Sequence, residues 1–253
     1  MRVIFCSLLI LVITLFAGDA RSEKVPKQVT LWTYYDFKPF LDDTFENGLI
    51  HDFAELLTSH SNEEYAFHVE YLPRKRIDLK LASNQLGMVA LVNPQWFPEQ
   101  YIASSSLLVG YDVIISPKVQ TITVNKLKNI SNANYIGVVG HEYPMIKTAT
   151  YKENISRIDV SSMLSLFTLI EKQRADFSIV PGLVAKYFQS TNDFSHSVHF
   201  EVLSKEQYYR CLLMNDMHIF LKKYVDEIVE KTEFIQEWNA ILKTYNIKGL
   251  SAI

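Results

Sequence analysis

Arg76 is the first residue in this chain whose type and place ask for a partner. It stands in Leu72-Pro73-Arg74-Lys75-Arg76, where a proline halts a strand-like run and opens a helical one. A cation in the first helical turn opposes the helix dipole unless something negative lies close by. A bound carboxylate or phosphate would satisfy it through two parallel hydrogen bonds; a solvated basic face with Arg74, Lys75 and Lys80 is the alternative. Seventeen residues on, Asn93-Pro94-Gln95-Trp96-Phe97 offers an amide and two aromatic rings for stacking on a flat or apolar ligand, or for a hinge or core role. Tyr34, Tyr35 and Phe37 mix hydroxyls with aromatic surface directly after another apolar run. Gly140-His141-Glu142-Tyr143-Pro144 joins a strand to a helix start, where free N–H groups suit an anion and His141 adds a pH-dependent contact. Gly182 follows Pro181 at a comparable break.

Enzyme signatures are absent: there is no Gly-x-Ser-x-Gly, no His-Glu-x-x-His and no Gly-x-x-x-x-Gly-Lys. His196-x-x-His199-x-Glu201 has metal-capable side chains, but on a strand the two histidines would face opposite sides. No metal and no cofactor are expected.

The elements that must position these residues follow from periodicity. Tyr65 to Leu72 alternates as a half-buried strand, Arg74–Ser83 carries Ile77, Leu79, Leu81 and Ala82 as a helical face, and Gly87–Val92 is a continuous apolar strand. Strand, helix, strand predicts a parallel pair, and ligands bind beyond the carboxyl ends of such strands. Val29–Tyr34 is a further strand, with a helix starting near Asp52. Residues 135–139, 155–160 and 174–180 read as strands of a second β-then-α block, with Ser161 as the N-cap of the helix that runs towards Gln173. Leu107–Ser116 and Leu203–Met214 are apolar extended runs that would cross between two lobes, and the chain ends in helices.

At 253 residues the chain has room for one large domain or two small ones, and its slight net charge of −3, with basic residues scattered, argues against nucleic acid. Arg2, an apolar run from Val3 to Ala17 and the small residues Gly18-Asp19-Ala20 predict a cleaved secretory signal over 1–20 and a mature protein beginning near Arg21. Only Cys211 would survive cleavage, so no intramolecular disulfide forms.

The order of motifs resembles the periplasmic solute-binding proteins of family 3, the amino-acid-binding type of ABC transport. Val29–Phe40, Gly48-Leu49 with Asp52 to Leu57, Leu72 to Arg76, Ile136 to Gly140, Arg174-Ala175-Asp176 and the closing helices with Trp238 carry the resemblance. It implies a two-lobed α/β fold of the type II, Venus-flytrap kind with two crossing hinge strands. Residues 21–111 and 205–253 would form lobe 1, and 112–204 lobe 2. It also implies a non-catalytic, monomeric periplasmic protein that captures a small polar or anionic ligand for an inner-membrane ABC transporter or a sensor. The alternative is a dehydratase-like or lyase enzyme on the same fold, with Glu142 as its cleft carboxylate. Two departures bear on the ligand. The family's threonine and carboxylate-gripping arginine after the strand at Met88–Val92 are missing from Asn93–Phe97, and Pro181 stands where its amine-receiving aspartate falls. Free α-amino acids are therefore expected to bind poorly.

Overall fold

The computed structural model describes residues 25–141, 146, 155–190, 194–203 and 207–247. The predicted signal, Glu142, Tyr143 and the helix expected after Pro144 lie outside the described residues.

Strand β1 (Lys27–Thr33) lies in the first sheet between β2 (Tyr65–Tyr71) and β3 (Gly87–Val92), parallel to both. The two strands of the opening βα unit are thus parallel but flank β1 rather than pair. Every residue of β3 is buried, as its unbroken apolar run requires. Helix α1 (Leu49–Ser59) begins three residues before the expected Asp52, because Gly48 turns the chain at φ 127°. A Cβ on Gly48 would lie 2.5 Å from the Phe40 carbonyl oxygen, so the position requires glycine. Helix α2 (Arg74–Ala82) buries Ile77 and Leu81, four apart, whereas Leu79 is exposed: at 100° per residue it points away from both.

After β3 come β4 (Tyr101–Ala103), β5 (Leu108–Gly110) and β6 (Asp112–Pro117). The long strand β11 (Tyr208–Asn215) closes the first sheet, antiparallel to β3, β4 and β5. Strand β6 passes into a second, antiparallel sheet, between β9 (Ser178–Pro181) and β10 (Val198–Val202). The expected strand over 174–180 is shorter, with Tyr135 and Phe177 forming only an isolated bridge. A parallel pair, β7 (Asn134–Val138) and β8 (Ser156–Val160), lies beside it.

Short helix α3 (Val124–Leu127) precedes β7; α4 (Met163–Glu171) and α5 (Gly182–Ser190) cover the second sheet. The N-cap of α4 is Ser162, not Ser161: its Oγ accepts from Ser165 N at 3.1 Å. In α6 (Ile219–Val229) the row Leu221, Val225, Val229 faces inward, while Phe220 is half exposed. The last helix, α7 (Thr232–Thr244), buries Phe234, Trp238 and Leu242 against Phe53 of α1. Each of these large apolar side chains contributes ~1.5–3 kcal/mol by leaving water.

Candidate functional site

The carboxyl ends of β1 and β3 are built to converge on one side chain. At β1, Thr33 Oγ1 accepts from Tyr35 N at 3.1 Å and turns the chain. Tyr35 then stacks on Phe40, with ring centres 4.3 Å apart, and Phe37 stands edge-on to both. At β3, Leu91 adopts φ 52° inside the strand, a conformation that a bulky residue holds only when its surroundings over-determine it. The pairing of β3 with β11 shifts register at the same place, between Cys211 and Leu213. The bulge turns the Leu91 carbonyl out of the ladder and towards Arg210.

Arg210, the third residue of β11, is fully buried. Its Nη1 donates to Leu91 O at 2.9 Å and to Tyr35 Oη at 2.7 Å, and its Nη2 donates to Tyr208 Oη at 3.1 Å. The rings of Tyr35, Phe40, Trp96 and Tyr208 lie 5.1–5.4 Å from the guanidinium carbon. Tyr208 Oη in turn donates to Asp112 Oδ1 at 3.2 Å, at the start of β6. Burial raises the Asp112 carboxyl above the usual range, against the opposing pull of the Tyr208 hydrogen bond and the Arg210 charge.

The rim has a second cation, Arg74. Its Nε pairs with Asp78 at 2.9 Å, its Nη2 donates to Trp96 O at 2.8 Å, and its guanidinium lies 3.7 Å from the Phe97 ring centre. Asn93 Oδ1 accepts from Gln95 N at 3.1 Å and fixes the turn Pro94–Trp96 that delivers that carbonyl. Tyr34 lies between the two arginines, its hydroxyl 3.4 Å from that of Tyr35; burial pushes its ionisation well above the usual tyrosine value.

Across from these residues stand the ends of β7 and β9. Phe37 meets the His141 ring edge-on at 5.7 Å. Burial, then the nearby Arg157 charge, lower the His141 imidazole to about 4. Gly182 N donates to Tyr111 O at 2.7 Å, and the Tyr111 ring fills the space a Cβ on Gly182 would need. Tyr208 covers Gly110 in the same way on the other strand of the crossing.

Of the residues expected at the site, Tyr34, Tyr35, Phe37, Trp96, Phe97 and His141 come together, with Gly182 beside Tyr111 at the crossing and Asn93 as the cap of the Trp96 turn. Arg76 does not join them. It is exposed on α2, without a side-chain partner among the described residues, and Arg74, two residues earlier, faces Trp96 and Phe97 instead. Periodicity missed Arg210, Tyr208, Asp112 and Phe40. A charged residue inside the apolar strand Tyr-Tyr-Arg-Cys-Leu-Leu-Met was the available signal, since such a residue is almost never fully buried without a partner.

This architecture, with one α/β part linked to a second where β5 leads into β6, is the fold of the two-lobed periplasmic binding proteins. Neither a protein-family model nor a curated protein matches the sequence. Solved structures match the fold. One, from work on glutathione import via GshT and the cystine ABC importer TcyBC of Streptococcus mutans, is 17% identical with a TM-score of 0.73, covering 89% of this chain and 98% of its own. An ancestral arginine-binding protein bound to arginine is 14% identical with a TM-score of 0.69, over 87% of this chain and 99% of its own. The GluR0 ligand-binding core of Nostoc punctiforme, in complex with L-glutamate, is 10% identical with a TM-score of 0.69, over 86% of this chain and 98% of its own.

Proposed function

We propose that this chain is an exported solute-binding protein, without catalysis of its own, that closes two lobes on a small polar or anionic ligand. The lobes would be 21–111 with 205–253, and 112–204, acting as a monomer in the periplasm with an inner-membrane ABC transporter or a sensor as partner. One observation carries this reading: a buried arginine, ringed by aromatics from the segments after β1 and β3 and from β11, pairs with β5 just before the chain passes into β6 of the second sheet. The fold supports it, because the similar structures include proteins solved with arginine and with L-glutamate bound.

The test is a thermal-shift screen of small metabolites against the mature chain. A cleft ligand at a hundred times its Kd stabilises by ~2.7 kcal/mol, and the same ligand should reduce the radius of gyration in solution scattering. Common free L-amino acids should give no micromolar binding, because the described site has no counterpart of the family's arginine after β3 and Pro181 ends β9. A screen in which nothing of any charge shifts the melting point would sink the solute-binding function.

A further inference from the structure

The donors of Arg210 are not all spent. A guanidinium carries five N–H groups. Leu91 O and Tyr35 Oη take both of those on Nη1, and Tyr208 Oη takes one on Nη2. Nε is buried with no hydrogen-bond partner, and one N–H of Nη2 has no acceptor among the described residues. Among those residues no carboxylate comes within ion-pair distance of Arg210 either. Asp112 is reached only through the Tyr208 hydroxyl. Burying a charge without a paired counter-charge costs several kcal/mol in general. An arginine stays protonated throughout the accessible pH range, so it cannot escape that cost by neutralising.

Of the rings around this group, Tyr35 and Phe40 are buried, whereas Trp96 keeps 39% of its surface exposed and Tyr208 is half-buried, so these two rings lie on its open side. The remaining surroundings are aromatic faces and tyrosine hydroxyls, with Arg74 as a second positive charge at the rim.

We propose that Arg210 is the anion receptor of this cleft, and that the ligand brings a carboxylate on an apolar body. The inference rests on the solute-binding function proposed above. The carboxylate takes the Nε and Nη2 donors once Trp96 swings aside, and the body packs on the aromatic rings that Trp96 and Tyr34 present. A cationic ligand would meet two arginines, and a neutral one would leave the guanidinium uncompensated. The receptor therefore lies on β11, not after β3, where the family resemblance puts its arginine.

The experiment is a titration of the mature chain with matched sets: phenylacetate, phenylacetamide and 2-phenylethylamine, then isovalerate, isovaleramide and isoamylamine. Trp32 and Trp238 are each 1% exposed, so iodide quenching reports on Trp96. The acid of at least one set is expected to bind at least tenfold tighter than its amide, the amine not at all, and binding to change the quenching. Arg210→Lys keeps the charge but loses the planar fork, and should weaken the acid at least tenfold with a native circular dichroism spectrum. Should that variant not fold, the acid-to-amide ratio of the wild type decides alone. An amide or amine that binds as tightly as its acid, an unchanged affinity in folded Arg210→Lys, or no binding by either acid overturns the assignment. If the wider metabolite screen then finds a neutral or cationic ligand, solute binding survives and only the anion receptor is lost. If it finds none, both are lost.

Discussion

Trp238→Ala is expected to lower the unfolding free energy by ~3–5 kcal/mol, the range for removing a fully buried tryptophan. The indole is 1% exposed and lies 4.9 Å from the Phe53 ring, joining α7 to α1. It also does something that a hydrocarbon could not. Its Nε1 donates to Leu107 O at 2.7 Å, and the N–H of Leu107 donates to Arg210 O at 2.9 Å. The last helix thus grips the residue that holds the backbone of the buried arginine. Trp238→Phe separates the two contributions: it retains most of the packing and leaves the Leu107 carbonyl unpaired, for a loss of ~1–3 kcal/mol. Urea unfolding at neutral pH, with the slope checked for two-state behaviour, measures both. A loss below about 1.5 kcal/mol for the alanine variant would mean that α7 does not anchor the crossing strands.

The parts of the molecule that follow a single local rule were legible in the sequence. The continuous apolar run Gly87–Val92 had to be a strand buried on both faces, and Leu72-Pro73 had to end β2 and start α2. What could not be read depends on angles that one residue of error reverses. Arg74 and Arg76 share a first helical turn and differ by about 200° around its axis, at 100° per residue. Which of them faces Trp96 is settled by the turn that Asn93 caps, an element of a different segment. The same arithmetic exposes Leu79 between Ile77 and Leu81.

Arg210 was hidden for another reason. Its neighbours make β11 read as an ordinary core strand, and its acceptor exists only because Leu91 takes a left-handed conformation that no propensity favours. Places where a local rule fails and the fold tolerates it are where function is expected. The bulge at Leu91 and the charge at Arg210 are two such failures, and they meet in one hydrogen bond.

Acid should loosen the contact between the lobes through His141. Its imidazole is the side chain from the β7 end that touches Phe37, with ring centres 5.7 Å apart. Burial and the Arg157 charge lower its folded value to about 4, from an ordinary 6.5. The sign follows directly. The unfolded chain takes a proton near pH 6.5, while the folded chain does not until about pH 4. The stabilising contribution is therefore whole above pH 6.5, falls as pH drops from 6.5 to about 4, and is gone below. The full shift is worth at most ~3 kcal/mol. Among the described residues, the charged group facing His141 is Arg157 of β8, whose Nη2 donates to the His141 carbonyl at 2.9 Å and also pairs with Asp159. Protonation would add a second cation beside it. Carboxylates elsewhere also titrate over this window, so the readout is the difference between wild type and His141→Gln, which is neutral throughout. Wild type should lose ~2–3 kcal/mol more than the variant between pH 7 and pH 4. Its ligand-free radius of gyration should also rise on acidification, where that of the variant stays level. Parallel stability curves for the two proteins, with no expansion in either, would remove His141 from the closure of the cleft.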